Sequence, residues 1–308
     1  MLHKLPLFNF VPFMIIFRFT FAKVCGASYL QSLPEDCYNH ARELLGETPA
    51  KRDECLREIQ RWLRCEQANI RIPNDDVRFI VYFLRSTKFN VEKTKSKIQT
   101  YTKIRTNRIE WFKNRNPYIE SVQELLELGV FLPLKQKDEN NRQVVIIRTA
   151  AHNPKCHKQD NVFKVDKMIL DLLLHLDETI SIYGIVAIFD MKNVTLSHAL
   201  QLPPAVVKRT VESWENYPCR PQLLEFVNAP IHVNIVLNIF RSFMSAKMKS
   251  RVIVSRGTSQ MNNVVKLPPE LGGTGDSYHD LSIYWKKQVQ DHACWFDETE
   301  QQYTLHEM

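Results

Sequence analysis

Glycine is scarce in this chain, with 8 among 308 residues. So few glycines exclude flexible Gly-rich linkers, and no low-complexity run or internal repeat occurs that would signal a solenoid. Signature loops of common enzymes are missing too. There is no G-x-x-x-x-G-K-[ST] phosphate loop, no G-x-S-x-G elbow and no H-E-x-x-H zinc helix. The seven cysteines (Cys25, Cys37, Cys55, Cys65, Cys156, Cys219 and Cys294) contain no C-x-x-C pair. An odd, dispersed set reads as reduced intracellular thiols, not a disulfide framework. "HNPKCH" gathers His152, Cys156 and His157, but no second ligand group follows at zinc spacing, so neither a metal nor a cofactor is expected. The most pointed absence is of acid. No Asp or Glu lies between Phe226 and Pro269, while Arg241, Lys247, Lys249, Arg251, Arg256 and Lys266 all fall there.

What is present is ordinary for a globular chain, 44% hydrophobic and 24% charged. The net charge of +7 suggests an anionic partner, nucleic acid or lipid surface. Residues 1–28 read as a leader. They have a basic start, an apolar stretch from Leu5 to Phe17 and small residues at 25–27, a layout loosely like a signal peptide. Pro6, Pro12 and Arg18 interrupt it, and it is short for a membrane span. A dispensable leader, a secretory signal and an anchor remain open for this segment, and a cytoplasmic location with peripheral membrane association is expected.

From Glu35 to Phe112 the pattern is helical. "RDECLREIQRWLR" sets Cys55, Leu56, Ile59, Trp62 and Leu63 at helical spacing. Asn74 or Asp75 offers an N-cap to a helix bearing Val77, Ile80, Val81 and Leu84. One basic helix is predicted from Val91 to Phe112; ten Lys or Arg lie between Arg85 and Arg115, against only Glu92 and Glu110. No reading helix, aromatic RNP sheet or zinc module accompanies that charge, so nucleic acid is not expected. Lys93, Lys97 and Lys103 read as its solvated face.

Beyond "NRNPY" strands begin to alternate with helices. "GVFLPLKQKDENNRQVVIIRTA" reads as a hairpin turning at "KDENN", and "NVFKVDKMILDLLLHLDETI" as an amphipathic helix. "GIVAIFDM" reads as a buried strand ending at Asp190, "LPPAVVKRTVESW" as a helix with proline in its first turn, and "LLEFVNAP" as a strand. The prediction is an α/β domain with a mixed or parallel sheet at 121–290, after a small helical domain at 29–120, with a tail at 291–308. "GGTGDS" at 272–277 follows no strand and reads as a plain turn. Asp190 reads as the cap of the loop after its strand, and His198 has no evident Ser or Cys nucleophile. An α/β hydrolase-like enzyme therefore lacks its nucleophile, and no catalytic residue is expected.

The acid-free segment reads as a helix from Ile231 to Lys249 followed by a short strand. Its apolar stripe is Ile235, Val236, Ile239, Phe240, Phe243 and Met244, and Lys247, Lys249 and Arg251 arrive where the stripe ends. Such a helix suits closing an apolar cavity on one side and touching an anionic bilayer on the other.

Five motifs then stand in register over some 250 residues: "DDVRFIVYFLRSTKFNVEKT", "GIVAIFDMKNVTLSHALQLPP", "YPCRPQLLEFVNAP", "FRSFMSAKMKSRVIV" and "LPPELGG". Together they resemble the CRAL-TRIO lipid-transfer family, in particular its tocopherol- and retinaldehyde-binding branch. The resemblance implies a CRAL-TRIO lipid-binding lobe with a mobile gate helix, here about Asn228 to Arg251, behind a helical N-terminal domain. It implies a non-enzymatic, monomeric carrier of one lipophilic molecule (tocopherol-, retinoid- or other isoprenoid-like, or a phospholipid). It implies as well a basic cleft that binds phosphoinositide headgroups on a membrane surface. By motif, Arg220, Lys247 and Arg251 fall on the family's basic positions, with Lys249 beside them. Gln222 and Tyr82 stand where the family carries further basic residues, leaving Arg85 alone in its motif. For the cavity the resemblance implies Phe163, Asp166 and Leu170, Ile188, Val194 and Leu196, Phe226, and the gate residues Val233, Val236, Phe240 and Met244. Asp166 stands where a relative carries a small polar residue, and pointing inward it would favour a hydroxyl or aldehyde ligand. The alternative reading is a phosphoinositide-responsive scaffold that moves no cargo.

Overall fold

The computed structural model of the chain describes residues 33–65, 77–230, 233–257, 259–263 and 265–304. The leader at 1–28, the Asn74 or Asp75 cap and the side chain of Val233 lie outside the described residues. Six helices come first: α1 (Glu35–Leu45), α2 (Pro49–Cys65), α3 (Val77–Ser86), α4 (Val91–Asn107), α5 (Ile109–Phe112) and α6 (Glu120–Leu128). Asn90 starts α4 as expected of a cap, its side-chain oxygen accepting from the Lys93 amide at 2.9 Å.

The basic helix expected to run to Phe112 breaks at Arg108, whose φ of −118° and ψ of 60° leave the helical region. The break turns Trp111 and Phe112 into the core, where Trp111 donates from Nε1 to Asp160 at 2.8 Å. Arg85 in α3 is fully buried, donating to Glu47 and Glu178 at 2.8 Å each and to Ser181 at 3.0 Å. It thus ties the helical region to the lobe that follows.

The lobe is built on β1 (Phe131–Pro133), β2 (Gln143–Arg148), β3 (Ile185–Asp190), β4 (Pro221–Val227) and β5 (Val252–Val254), in that order across one sheet. The β1–β2 pair is the antiparallel hairpin that "KDENN" predicts, and the other pairs are parallel. Parallel strands need crossovers. α7 (Gln159–Leu176) with the short α8 (Thr179–Tyr183) links β2 to β3. α9 (Leu196–Leu200) and α10 (Pro204–Asn216) link β3 to β4, and α11 (Val233–Phe243) and α12 (Ala246–Lys249) link β4 to β5.

Strand alternation divides the core in two. Val145, Ile147, Ala187, Leu224 and Phe226 face the crossover helices. Val144, Ile146, Val186, Ile188 and Val227 face the segment that returns beneath the sheet, with Met261, Leu267, Leu271 and Leu281. "GGTGDS" is a turn, as read. The Gly275 amide donates to the Leu267 carbonyl at 2.8 Å, and a Cβ on Gly273 would lie 2.0 Å from that same oxygen. Close backbone approach requires glycine there, and the Gly275 N–H that a phosphate would want is already used.

The C-terminal end differs from the expected tail. α13 (Tyr278–Asp291) begins with a Ser277–Asp280 capping box, and its Trp285 donates to the Pro133 carbonyl at 2.7 Å. α14 (Ala293–Thr304) buries Phe296 completely beneath the Arg115 guanidinium, 5.2 Å from the ring centre.

Candidate functional site

Between the upper sheet face and the crossover helices lies a cavity of about 270 Å³. Its floor is Ile147, Phe189, Leu224 and Phe226, with the last phenylalanine stacked on Phe189 at 4.4 Å and 7°. α7 contributes Val162, Phe163 and Asp166, the α9 region Val194, Leu196 and Leu202, and α10 Val211 and Trp214. α11 covers it with Val236, Leu237 and Phe240, and Met244 and Met248 continue the cover.

Of the residues expected at the cavity, Phe163, Asp166, Val194, Leu196, Phe226, Val236, Phe240 and Met244 line it. Ile188 does not, because alternation along β3 turns it to the lower face and gives the upper one to Phe189. Leu170 lies a turn further along α7, packed into the core away from the cavity and 1% exposed. Phe189, Val211, Trp214 and Leu224 were missed. The strand residues were legible from the period of two, whereas nothing in the sequence marks which face of α10 turns inward.

The covering helix also differs from its expected stripe. Ser245 ends the continuous helix and caps α12, accepting from the Met248 amide at 3.2 Å. The inner face runs Val236, Leu237, Phe240, Met244 and Met248, whereas Ile235 is 70% exposed and Phe243 37%. Leu196 and Leu200 of α9 are exposed as well, so Leu196 and Ile235 mark the outer edge of the same cavity.

Beside this cover, cations converge. Arg220 is buried before β4, donating from Nη2 to the Ile182 carbonyl while its Nε has no partner. Burial, and then the neighbouring Arg251, lower its pKa to about 10. Arg251 is anchored on the Pro221 carbonyl, and burial lowers it too. Burial lowers Lys247, reinforced by Arg251, Arg220, Lys88 and Lys93. Lys97 of α4, partly buried, is pushed down to about 8, chiefly by burial and further by Lys247 and Arg220. Lys93 and Lys97, expected on a merely solvated face, thus join a cluster shared between the helical region and the lobe. Among the described residues no ion pair joins Arg220, Lys247, Arg251 or Lys97 to a carboxylate. Lys249 is exposed on the last turn of α12. Gln222 donates to the Tyr183 carbonyl at 3.1 Å, and Arg85 is held in its buried ion pairs away from the cluster.

The groups considered for catalysis are engaged structurally. Asp190 accepts from the Lys192 amide at 3.0 Å, from Asn228 at 2.8 Å and from the Tyr278 hydroxyl at 3.0 Å. His198 Nδ1 accepts from the Thr195 amide, and its Nε2 lies 3.1 Å from the His152 carbonyl. Among the described residues no group of three or more His, Cys, Asp or Glu could hold a metal ion. No helix there is long and apolar enough to cross a membrane.

A helical region leading into a mostly parallel five-stranded sheet, with an apolar cavity under a crossover helix, has a family counterpart. Residues 127–273 match the CRAL/TRIO domain. The chain carries a CRAL-TRIO domain. Ahead of this domain, residues 48–122 match the Pinta-like UBA domain. Human alpha-tocopherol transfer protein-like is 28% identical over 251 residues, covering 80% of this chain and 72% of that protein. Human clavesin-2 is 22% identical over 271 residues, covering 86% and 82% respectively. The crystal structure of Sfh5 superposes with a TM-score of 0.52 at 12% identity, over 81% of this chain and 99% of that one, which shows the common fold.

Proposed function

We propose that this CRAL-TRIO protein is a carrier that takes one hydrophobic small molecule from a membrane, encloses it in the cavity beneath α11, and delivers it to another. The observation that carries the reading is the apolar cavity covered by one helix, with the cation cluster at that helix's end. Burying apolar ligand surface contributes roughly 25 cal/mol per Å², against which opening of the cover is set. α11 acts as the gate, since Ser245 separates it from the anchored α12 and Arg251. Leu196, Leu200 and Ile235 supply an exposed apolar edge for the bilayer, and Lys247, Lys249 and Arg251 add electrostatic attraction. A phosphoinositide headgroup would reach Arg220, Lys247 and Arg251, with Lys97 behind them. The guanidinium forks suit phosphate oxygens. The name of one relative, alpha-tocopherol transfer protein-like, supports the same reading. We place residues 29–120 as the helical domain and 121–290 as the lipid-binding lobe of a monomer acting at the cytoplasmic face of membranes.

The test is native mass spectrometry of the purified chain with extraction of bound molecules, paired with ligand transfer between vesicles. A stoichiometric small lipid and its transfer to acceptor vesicles are expected. Phosphoinositide binding by a chain that takes up no offered lipophile would instead establish the scaffold reading.

A further inference from the structure

The cavity lining is mostly apolar, and two of its residues each carry a buried polar atom without a hydrogen-bond partner. Asp166 is 7% exposed, and its Oδ1 has no hydrogen-bond partner. The adjacent Lys167 ammonium sits over the rings of Trp214 and Tyr217, at 5.5 and 5.0 Å, and offsets only part of the cost of burial. An ionised carboxylate in such a place is very costly, and burial pushes its pKa up to about 7, so the acid form prevails below that pH. A neutral carboxylic acid offers one O–H donor together with acceptor oxygens.

His152, 4% exposed, is the second. Its Nε2 lies 3.0 Å from Gln201 Oε1. The Gln201 amide nitrogen donates to the Pro154 and His157 carbonyls, which fixes Oε1 as an acceptor. Nε2 therefore carries the hydrogen. Burial lowers the imidazole pKa, and in the neutral ring Nδ1 is an acceptor with no partner. The hydroxyls of Thr149, Thr195 and Thr210 on the same lining are already engaged within the protein. The Arg148 guanidinium is turned to the Leu128 carbonyl and the Tyr278 ring.

We propose that Asp166 and His152 select lipophiles that end in an uncharged hydroxyl, over those ending in a carboxylate or carrying no polar group. The inference rests on the carrier reading. An alcohol accepts from the Asp166 acid and donates to His152 Nδ1. A hydrocarbon leaves both unpaired, and each unpaired buried group costs about 1–3 kcal/mol. A carboxylate must bury its own negative charge in the apolar cavity.

The test is competition among 1-hexadecanol, hexadecanoate and hexadecane for the full chain at about pH 6, where the lipid acid is ionised and Asp166 protonated. Occupancy is read by native mass spectrometry. Wild type is expected to favour the alcohol over either competitor by about tenfold or more. Asp166→Leu should erase the preference for alcohol over alkane, and Asp166→Asn, which keeps a donor, should retain most of it. His152→Phe should narrow the preference. Alkane or carboxylate bound as well as alcohol by wild type would overturn the selection and leave the carrier reading standing. If wild type bound none of the three or any other offered lipophile, the carrier reading would fail and this inference with it. The wild-type series decides the matter even where the leucine variant does not fold.

Discussion

Removing Lys247 and Arg251 together is the sharpest perturbation of the proposed docking surface. Both belong to a cluster in which, among the described residues, no carboxylate pairs with Arg220, Lys247, Arg251 or Lys97. Their charge is therefore free to meet an anion from outside. Arg220, 7% exposed and tied to the Ile182 carbonyl, is left in place in this variant. Each basic residue near an anionic bilayer is worth about 1 kcal/mol, so the double alanine variant loses about 2 kcal/mol, or about 30-fold in partitioning. The assay is sedimentation with vesicles of phosphatidylcholine, of phosphatidylcholine with phosphatidylserine, and of phosphatidylcholine with a phosphoinositide. The loss should be largest on the phosphoinositide vesicles, where paired guanidinium–phosphate contacts are possible, and absent on phosphatidylcholine alone. High salt should shrink it, since the Debye length falls from about 8 Å at physiological ionic strength to about 3 Å at 1 M. An equal loss on all three vesicle types, or none on any, refutes the reasoning.

Two other outcomes follow from groups held away from their ordinary ionisation, and a third from a buried hydrogen-bond hub. The Asp166 pKa stands at about 7 against an ordinary 3.8, so between those values the folded state binds more protons than the unfolded one. Stability therefore falls as pH rises through that window and levels off above it. Asp166→Asn removes the slope, and melting curves across that range should show the variant gaining on wild type as pH rises. Lys97 behaves oppositely, because a folded pKa of about 8 against 10.5 makes stability rise with pH through that interval. Lys97→Met should be more stable than wild type near neutrality, and a gap that persisted above the interval would contradict the assigned cause. Asp190→Ala, which frees Asn228, Tyr278 and the Lys192 amide, should cost about 3 kcal/mol in urea denaturation. Loss of function at unchanged stability would instead return Asp190 to the list of reacting groups.

The strand pattern was legible because its period is short and its runs are bounded. β2, β3 and β4 lie where their short apolar runs predicted, and the hairpin turns in the "KDENN" segment, with Asn141 in the left-handed region. Of the four residues of the cavity floor, the expected set holds only Phe226. Choosing Ile188 instead of Phe189 exchanged the two faces of β3, a one-residue error that alternation makes absolute. Helix faces were harder to place, because their period is not integral and an apolar stripe can rotate by one residue. On α11 the expected i, i+1 pairs began at Ile235, whereas the buried pair begins at Val236 and leaves Ile235 outside. The Arg108 break was not legible, since its cause is the burial of Trp111 and Phe112 against a helix some fifty residues away.

The cation cluster shows why local sequence reading stopped short of the site. Along α4, Lys97 follows the same spacing as Lys93 and looks equally solvated. Its environment is set by Cys219, Arg220 and Lys247, more than a hundred residues later, once α4 packs against α10. In that setting its charge is costly in the free protein and becomes favourable only when an anion arrives. The same holds for Arg220, whose Nε lacks a partner. Like charges gathered without a counter-charge destabilise the empty fold, and binding of an anion relieves precisely the groups that carry the cost. Headgroup binding should therefore raise the melting temperature of wild type more than that of Lys97→Met. The two variants divide the explanation cleanly, for Lys97→Met tests the cost within the fold and the Lys247, Arg251 pair tests contact with the membrane.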